Sequence, residues 1–125
     1  MDTSLFDEMG GEAGVRALVD RFYDLMDTLP EAARIRAMHP ADLASSREKL
    51  SLFLMMWSGG PRTYEELRGH PRMRARHLPF PIDAADRDAW LLCMDRALDE
   101  SPMDERVKRG LSDAFARIAE HMRNR

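Results

Sequence analysis

The sequence predicts an all-α protein, and three observations carry that reading. Apolar residues recur at intervals of three and four along several long segments. Glycine and proline stand between those segments. Nowhere does the chain alternate apolar and polar residues as a half-buried strand would. At 125 residues it fits one domain, 1–125, large enough to bury a core without disulfide or metal staples.

The first long helix is expected over 12–29, where Val15, Leu18, Val19, Phe22, Tyr23, Leu25, Met26 and Leu29 form a stripe, and Pro30 closes it. EAARIRAM then makes a short turn and helix leading to His39-Pro40, where the proline biases His39 out of the helical region and the chain bends. Asp42 or Ser45/Ser46 can cap the next helix, which carries Leu50, Phe53, Leu54 and Trp57 on one face. Gly59-Gly60-Pro61 stops it. From Pro61 to Pro81 the periodicity dissolves into an arginine-rich connection with at most two or three helical turns. Loops of that length in a compact domain are usually functional or disordered. Met73, Leu78 and Phe80 predict an ordered one. Asp83 opens a further helix with Trp90, Leu91, Cys93, Met94, Ala97 and Leu98 as its stripe, and Pro102 ends it. The last helix, from about Asp104 to His121, carries Val107, Leu111, Ala114, Phe115, Ile118 and Met122.

The composition, 44% apolar and 33% charged with the charges interspersed, is that of a folded chain. A net charge of -3 argues against a nucleic-acid binder held by its global field. The acidic start MDTSLFDEMGGEAG lacks the pattern of a secretory signal, and no apolar run reaches the roughly 18 residues of a membrane span, so a cytoplasmic protein is expected. Cys93, the only cysteine, excludes an intramolecular disulfide or a Cys-rich zinc site and is expected to be buried.

Ten methionines and nine aromatic residues would pack the core of a helical bundle with no cofactor. That account leaves Tyr23, Trp57 and Trp90 unexplained, because their O–H and N–H groups need partners if buried. It also leaves RGHPRMRARHLPF, Arg68 to Phe80, with two histidines, two prolines and four arginines. A cofactor with an apolar face and an anionic rim would use all of these features together. Haem is such a cofactor, with His77 as an axial ligand and the neighbouring arginines meeting its propionates. The alternative is a haem-free helical interaction or anion-binding module built on the basic loop 68–76.

The early Gly10-Gly11 after LFDEM, RFYDLM around Tyr23, WSGGPRTY from Trp57 to Tyr64, GHPRMRARHLPF, and RDAWLLCM around Trp90 together resemble the truncated haemoglobins, specifically their second group, from Leu5 to the end of the chain. The resemblance implies a two-over-two helical sandwich and one b-type haem with His77 as the proximal iron ligand. It implies that Tyr23 and Trp90 donate hydrogen bonds to bound O2, NO or CO. His39 stands where the family often has Tyr or Phe, and there it would join the distal pocket, donate or accept, and titrate near neutral pH. Ser46 takes the place where many globins keep a distal histidine. Leu50, Phe53, Leu54 and Trp57 become haem-wall or core residues, with Met73, Phe80 and Met94 on the proximal and inner sides. Arg76 is the first candidate for the propionates, with Tyr64, Arg68 and Arg72 behind it. His70 is read as a turn residue before Pro71, and Arg74 and His121 as solvated. The implied partners are diatomic gases, peroxide and an unidentified reductase, with NO-dioxygenase or peroxidase-like chemistry within reach. Relatives of this group are often dimeric, although no exposed stripe here demands a homodimer.

Overall fold

The computed structural model describes residues 4–125. Helix α1 (Leu5–Glu8) is too short to show periodicity, and a local cap makes it: Ser4 Oγ accepts from the Asp7 N–H at 3.1 Å. Helix α2 (Gly11–Thr28) follows a left-handed Gly10, φ 97°. Pro30 opens a 3₁₀ turn, Pro30–Ala32, that runs into α3 (Ala33–Ala37). Helix α4 (Ala44–Trp57) starts where the Asp42 carboxylate accepts from the Ala44 N–H at 2.9 Å. Of the three capping candidates Asp42 makes this bond, and Ser45 and Ser46 lie inside the helix.

The irregular connection holds two short helices, α5 (Thr63–Arg68) and α6 (Met73–His77). Helix α7 (Ala84–Glu100) opens with a reciprocal cap, the Asp83 side chain accepting from the Asp86 N–H and the Asp86 side chain from the Asp83 N–H. Helix α8 (Glu105–Met122) starts at Asp104, whose carboxylate accepts from the Arg106 N–H.

Helices α2 and α4 pack together, α7 and α8 pack together, and α2 lies against α7 between the pairs. This is the two-over-two arrangement expected from the sequence. Val15, Val19 and Phe22 from α2, Cys93 and Met94 from α7, and Leu111 and Phe115 from α8 are almost wholly buried at its centre. Arg47 ties α4 to Asp20 and Asp24 of α2, and Arg21 ties α2 to Glu100 of α7. Such exposed pairs contribute about 0.2–1 kcal/mol each, so apolar burial dominates.

The connection is ordered, by a different means from the one the sequence suggested. Leu78 and Phe80 remain substantially exposed. The chain end holds the segment instead: Arg74 donates to the His121 carbonyl at 2.9 Å, the Asn124 amide to the Phe80 carbonyl at 2.8 Å, and Ile82 N–H to Asn124 Oδ1 at 2.9 Å. His70 is the expected turn residue, its Nδ1 accepting from the N–H of Arg72, which adopts φ 47°.

Gly14 shows how closely α1 and α2 approach. A Cβ there would stand 1.9 Å from the Met9 carbonyl oxygen, and Met9 is buried and cannot yield. Gly14→Ala is expected to cost about 1–3 kcal/mol, as overfilled sites do. Gly110, in the middle of α8, is open: a methyl group added there would meet nothing within 4 Å. Gly110→Ala is expected to stabilise by about 0.4–1 kcal/mol through helix propensity and the less flexible unfolded chain. Urea midpoints of the two variants, shifted in opposite directions, check both.

Candidate functional site

A cavity of about 410 Å³ opens among α2, α4, α6, α7 and the end of α8. Helix α6 brings His77 to it as its last residue, with Met73 one turn earlier and Arg76 beside it. Helix α2 contributes Tyr23, α7 contributes Trp90, and the bend after α3 contributes His39. Leu50, Phe53 and Ser46 come from α4, Tyr64 from α5, and Phe80 from the segment before α7.

Both histidines are oriented by the backbone. His77 Nδ1 lies 2.6 Å from the Met73 carbonyl oxygen, and His39 Nδ1 lies 2.8 Å from that of Ile35. A carbonyl only accepts, so each Nδ1 carries a hydrogen, and Nε2 is the ring nitrogen left free of the backbone. Burial pulls His39 below the ordinary histidine range, against the Ile35 carbonyl, which favours the protonated form; Arg36 and His77 add smaller pushes downward. His39 is therefore neutral at pH 7 and acts there as an acceptor through Nε2, where the sequence left both roles open.

The pH dependence follows with a definite sign. Unfolded, His39 titrates near about 6.5; folded, it titrates lower, so between those values the unfolded chain holds more protons. Stability is expected to fall as pH drops below the ordinary histidine range, and His39→Gln should flatten that part of the curve. Urea unfolding at neutral pH and at mildly acidic pH measures the difference.

Tyr23 is only 6% exposed, and burial pushes its phenol up to about 12, with Arg47 partly opposing. The Arg47 guanidinium stands 5.8 Å from the ring centroid. Phe22 packs edge-on to Tyr23 at 4.9 Å and against Trp90 at 5.1 Å, and His39 meets the Tyr23 ring edge-on at 5.8 Å. Among the described residues, neither the Tyr23 hydroxyl nor the Trp90 N–H donates to a protein group, and neither is sealed in the core without a partner. The Tyr23 and Trp90 donors and the two imidazoles thus belong to residues lining a single, mostly apolar cavity.

Five predicted positions lie apart from this cavity. Leu54 and Met94 are buried in the core, because a helix turns about 100° per residue and Leu54 follows Phe53 onto another face. Trp57 stacks on Phe115 at 5.6 Å and borders a second cavity. Arg68 and Arg72 are exposed away from the opening. Arg76 and Lys49 bring positive charge to the cavity without carboxylate partners among the described residues, whereas Arg87 is paired with Asp88 and Glu120.

Sequence reasoning overlooked Ile35, Met38, Lys49 and Ile82 as lining residues, and read Ile118 and Met122 only as core. It also overlooked Asp86, 3% exposed, which bonds Arg34 of α3 at 3.2 Å and so holds α3 against the start of α7. Only the Asp83/Asp86 spacing signalled it.

Among the described residues no three His, Cys, Asp or Glu side chains converge on a metal cage. A metal held by His77 would need its other ligands from a cofactor, and a porphyrin supplies them. The residues fit such a group: one free imidazole nitrogen, an apolar slot, and the two unpaired cations for an anionic rim.

Residues 4–124 match the family model described as bacterial-like globin. A group 2 truncated haemoglobin of Bacillus subtilis, YjbI, is 39% identical over 114 residues, 91% of this chain and 84% of that one. Among solved structures, the group II 2-on-2 haemoglobin of Agrobacterium tumefaciens superposes with a TM-score of 0.95 at 49% identity, covering 98% of this chain and 95% of the other. The cold-adapted truncated haemoglobin of Pseudoalteromonas haloplanktis gives 0.96 at 39% identity, covering 98% and 99%.

Proposed function

The chain belongs to the bacterial-like globin family, with group 2 truncated haemoglobins as its relatives, and from that premise we propose that it binds O2, NO and CO at a b-type haem held by His77. Haem-based gas binding follows from the family itself. The observation that supports the finer reading is one apolar cavity containing both a backbone-oriented imidazole and a buried, un-ionised phenol with a free hydroxyl.

When bound, haem supplies an iron centre that takes a diatomic ligand and exchanges electrons. The chain's residues do the rest. The Met73 carbonyl fixes the His77 tautomer and ring rotation and makes Nε2 a stronger donor of its lone pair. Tyr23 and Trp90 present O–H and N–H to the ligand, and His39 accepts from an intervening water beside them. Leu50, Phe53 and Ile118 exclude bulk water, while Arg76 and Lys49 meet the carboxylates of the cofactor rim. Ser46 at the edge of the cavity leaves a small side chain where ligands enter.

Two donors around the ligand favour slow release, which suits O2 chemistry, sensing or scavenging better than bulk transport. The reaction class we propose is consumption of NO, or reduction of peroxide, with electrons from a separate cytoplasmic reductase; a donor-rich pocket polarises an O–O bond.

Absorption spectra of the ferric, dithionite-reduced and CO-bound protein test the cofactor. A strong haem band that shifts with CO is expected, and a protein that stays colourless after incubation with hemin sinks the reading in favour of a haem-free anion-binding module on loop 68–76. Single-turnover NO consumption by the oxygenated protein, and peroxide-dependent oxidation of a dye, test the chemistry. Failure of both leaves gas binding alone.

A further inference from the structure

A second cavity, of about 490 Å³, lies between the C-terminal half of α4, α6 and the last turns of α8. Phe53 and Trp57, one turn apart on α4, face Ala114, Ile118 and Met122, which recur one turn apart on α8. Met73 closes the end toward α6. Small Ala114 leaves the space open, and stacking on Phe115 holds the Trp57 ring in place.

Among the described residues the one formally charged side chain lining this cavity is a cation. Arg117 and His121, again one turn apart on α8, border it. Arg117, like Arg68, Arg72, Arg76, Arg96 and Arg109, makes no side-chain ion pair or hydrogen bond among the described residues, and of these it is the one that lines this cavity. Arg74, outside the lining, donates to the carbonyls of His121 and Arg123 at 2.9 and 3.2 Å, and so brings a second cation to the end of α8. Among the described residues no carboxylate lines the cavity.

We propose that this second cavity is a binding site for a small amphipathic carboxylate, its alkyl or aryl tail lying between Phe53, Trp57, Ile118 and Met122 and its carboxylate on Arg117. An apolar slot of this size with a cation at its mouth selects such a ligand over a neutral apolar molecule, which leaves the guanidinium unused, and over a free inorganic anion, which leaves the slot empty. The site is distinct from the gas cavity but shares Phe53, Met73, Ile118 and Met122 as a common wall. An occupant therefore touches Met73, the residue whose carbonyl orients His77.

Calorimetric titration of the haem-loaded protein with octanoate tests this, with octan-1-ol as the uncharged control. One octanoate per chain is expected, with octanol weaker. Arg117→Gln, a change at an exposed side chain, should weaken octanoate by about tenfold, the scale of one charge-assisted hydrogen bond, and leave octanol unaffected. Ala114→Trp should abolish octanoate binding by filling the slot. No saturable binding, or octanoate binding unchanged in Arg117→Gln, overturns the proposal. The haem spectrum of the same samples is recorded beforehand, so failure here is distinct from failure of the gas-binding reading on which the haem-loaded protein rests.

Discussion

Replacing His77 with alanine is expected to abolish or displace the haem absorption band and to remove the stability that the cofactor confers. A ligand held at about 1,000 times its Kd adds about 4 kcal/mol to folding, and that contribution disappears with the iron ligand. The packing cost should be smaller. His77 is half-buried and its one protein hydrogen bond, to the Met73 carbonyl, is local, so the haem-free chain should lose about 1 kcal/mol. Spectra and urea unfolding, each with and without hemin, separate the two effects. Free imidazole added to the variant should restore a band, since the alanine leaves room for the ring. An unchanged band and CO shift in the variant would exclude His77 as the ligand and turn attention to His39, the other imidazole of the cavity with a free Nε2.

Tyr23→Phe should speed release of O2 by about 10–100-fold, the equivalent of one hydrogen bond to a partly charged acceptor, about 1.5–3 kcal/mol. The substitution is conservative in every other respect. The ring keeps Phe22 at 4.9 Å, His39 at 5.8 Å and the Arg47 guanidinium above it. The hydroxyl has no protein partner among the described residues, so its loss leaves no orphaned group and stability should change little. Stopped-flow displacement of O2 gives the rate directly. Because the phenol is pushed up to about 12, the Tyr23 contribution should stay constant from neutral pH to well above 9. An O2 release rate unaffected by the change would mean that Trp90 alone holds the ligand.

The helices that were legible are those whose apolar stripes run several turns, as in α2, α7 and α8. Helix α1 escaped notice because a single turn has no period, and it stands on one Ser4 cap and on contact with α2. Order in the basic connection was legible, but its cause was not: the bonds run from Arg74, Phe80 and Ile82 to 121–124, some 40 residues later in the chain. Lys49 escaped for a similar reason. It sits a full segment away from the arginine cluster, yet reaches the same cavity as Arg76, whereas Arg68 and Arg72 do not.

By itself the sequence determined the all-α class and the places where helices stop, and through its resemblance to a family it pointed to Tyr23, His39, His77 and Trp90, which the structure brings to one cavity. Those features are local, set by periodicity, by proline and glycine, and by short motifs. Tertiary structure decided which apolar residues line a cavity and which fill the core, separating Phe53 from Leu54 and setting Ile118 and Met122 of the α8 stripe on a wall shared by two cavities. It also decided that His39 accepts at neutral pH, since the depth of burial that lowers its pKa is set by the helices packed around it. Periodicity says which side of a helix avoids water; only the packing of distant segments says what lies against that side, and an empty space between them belongs to no single stretch of chain.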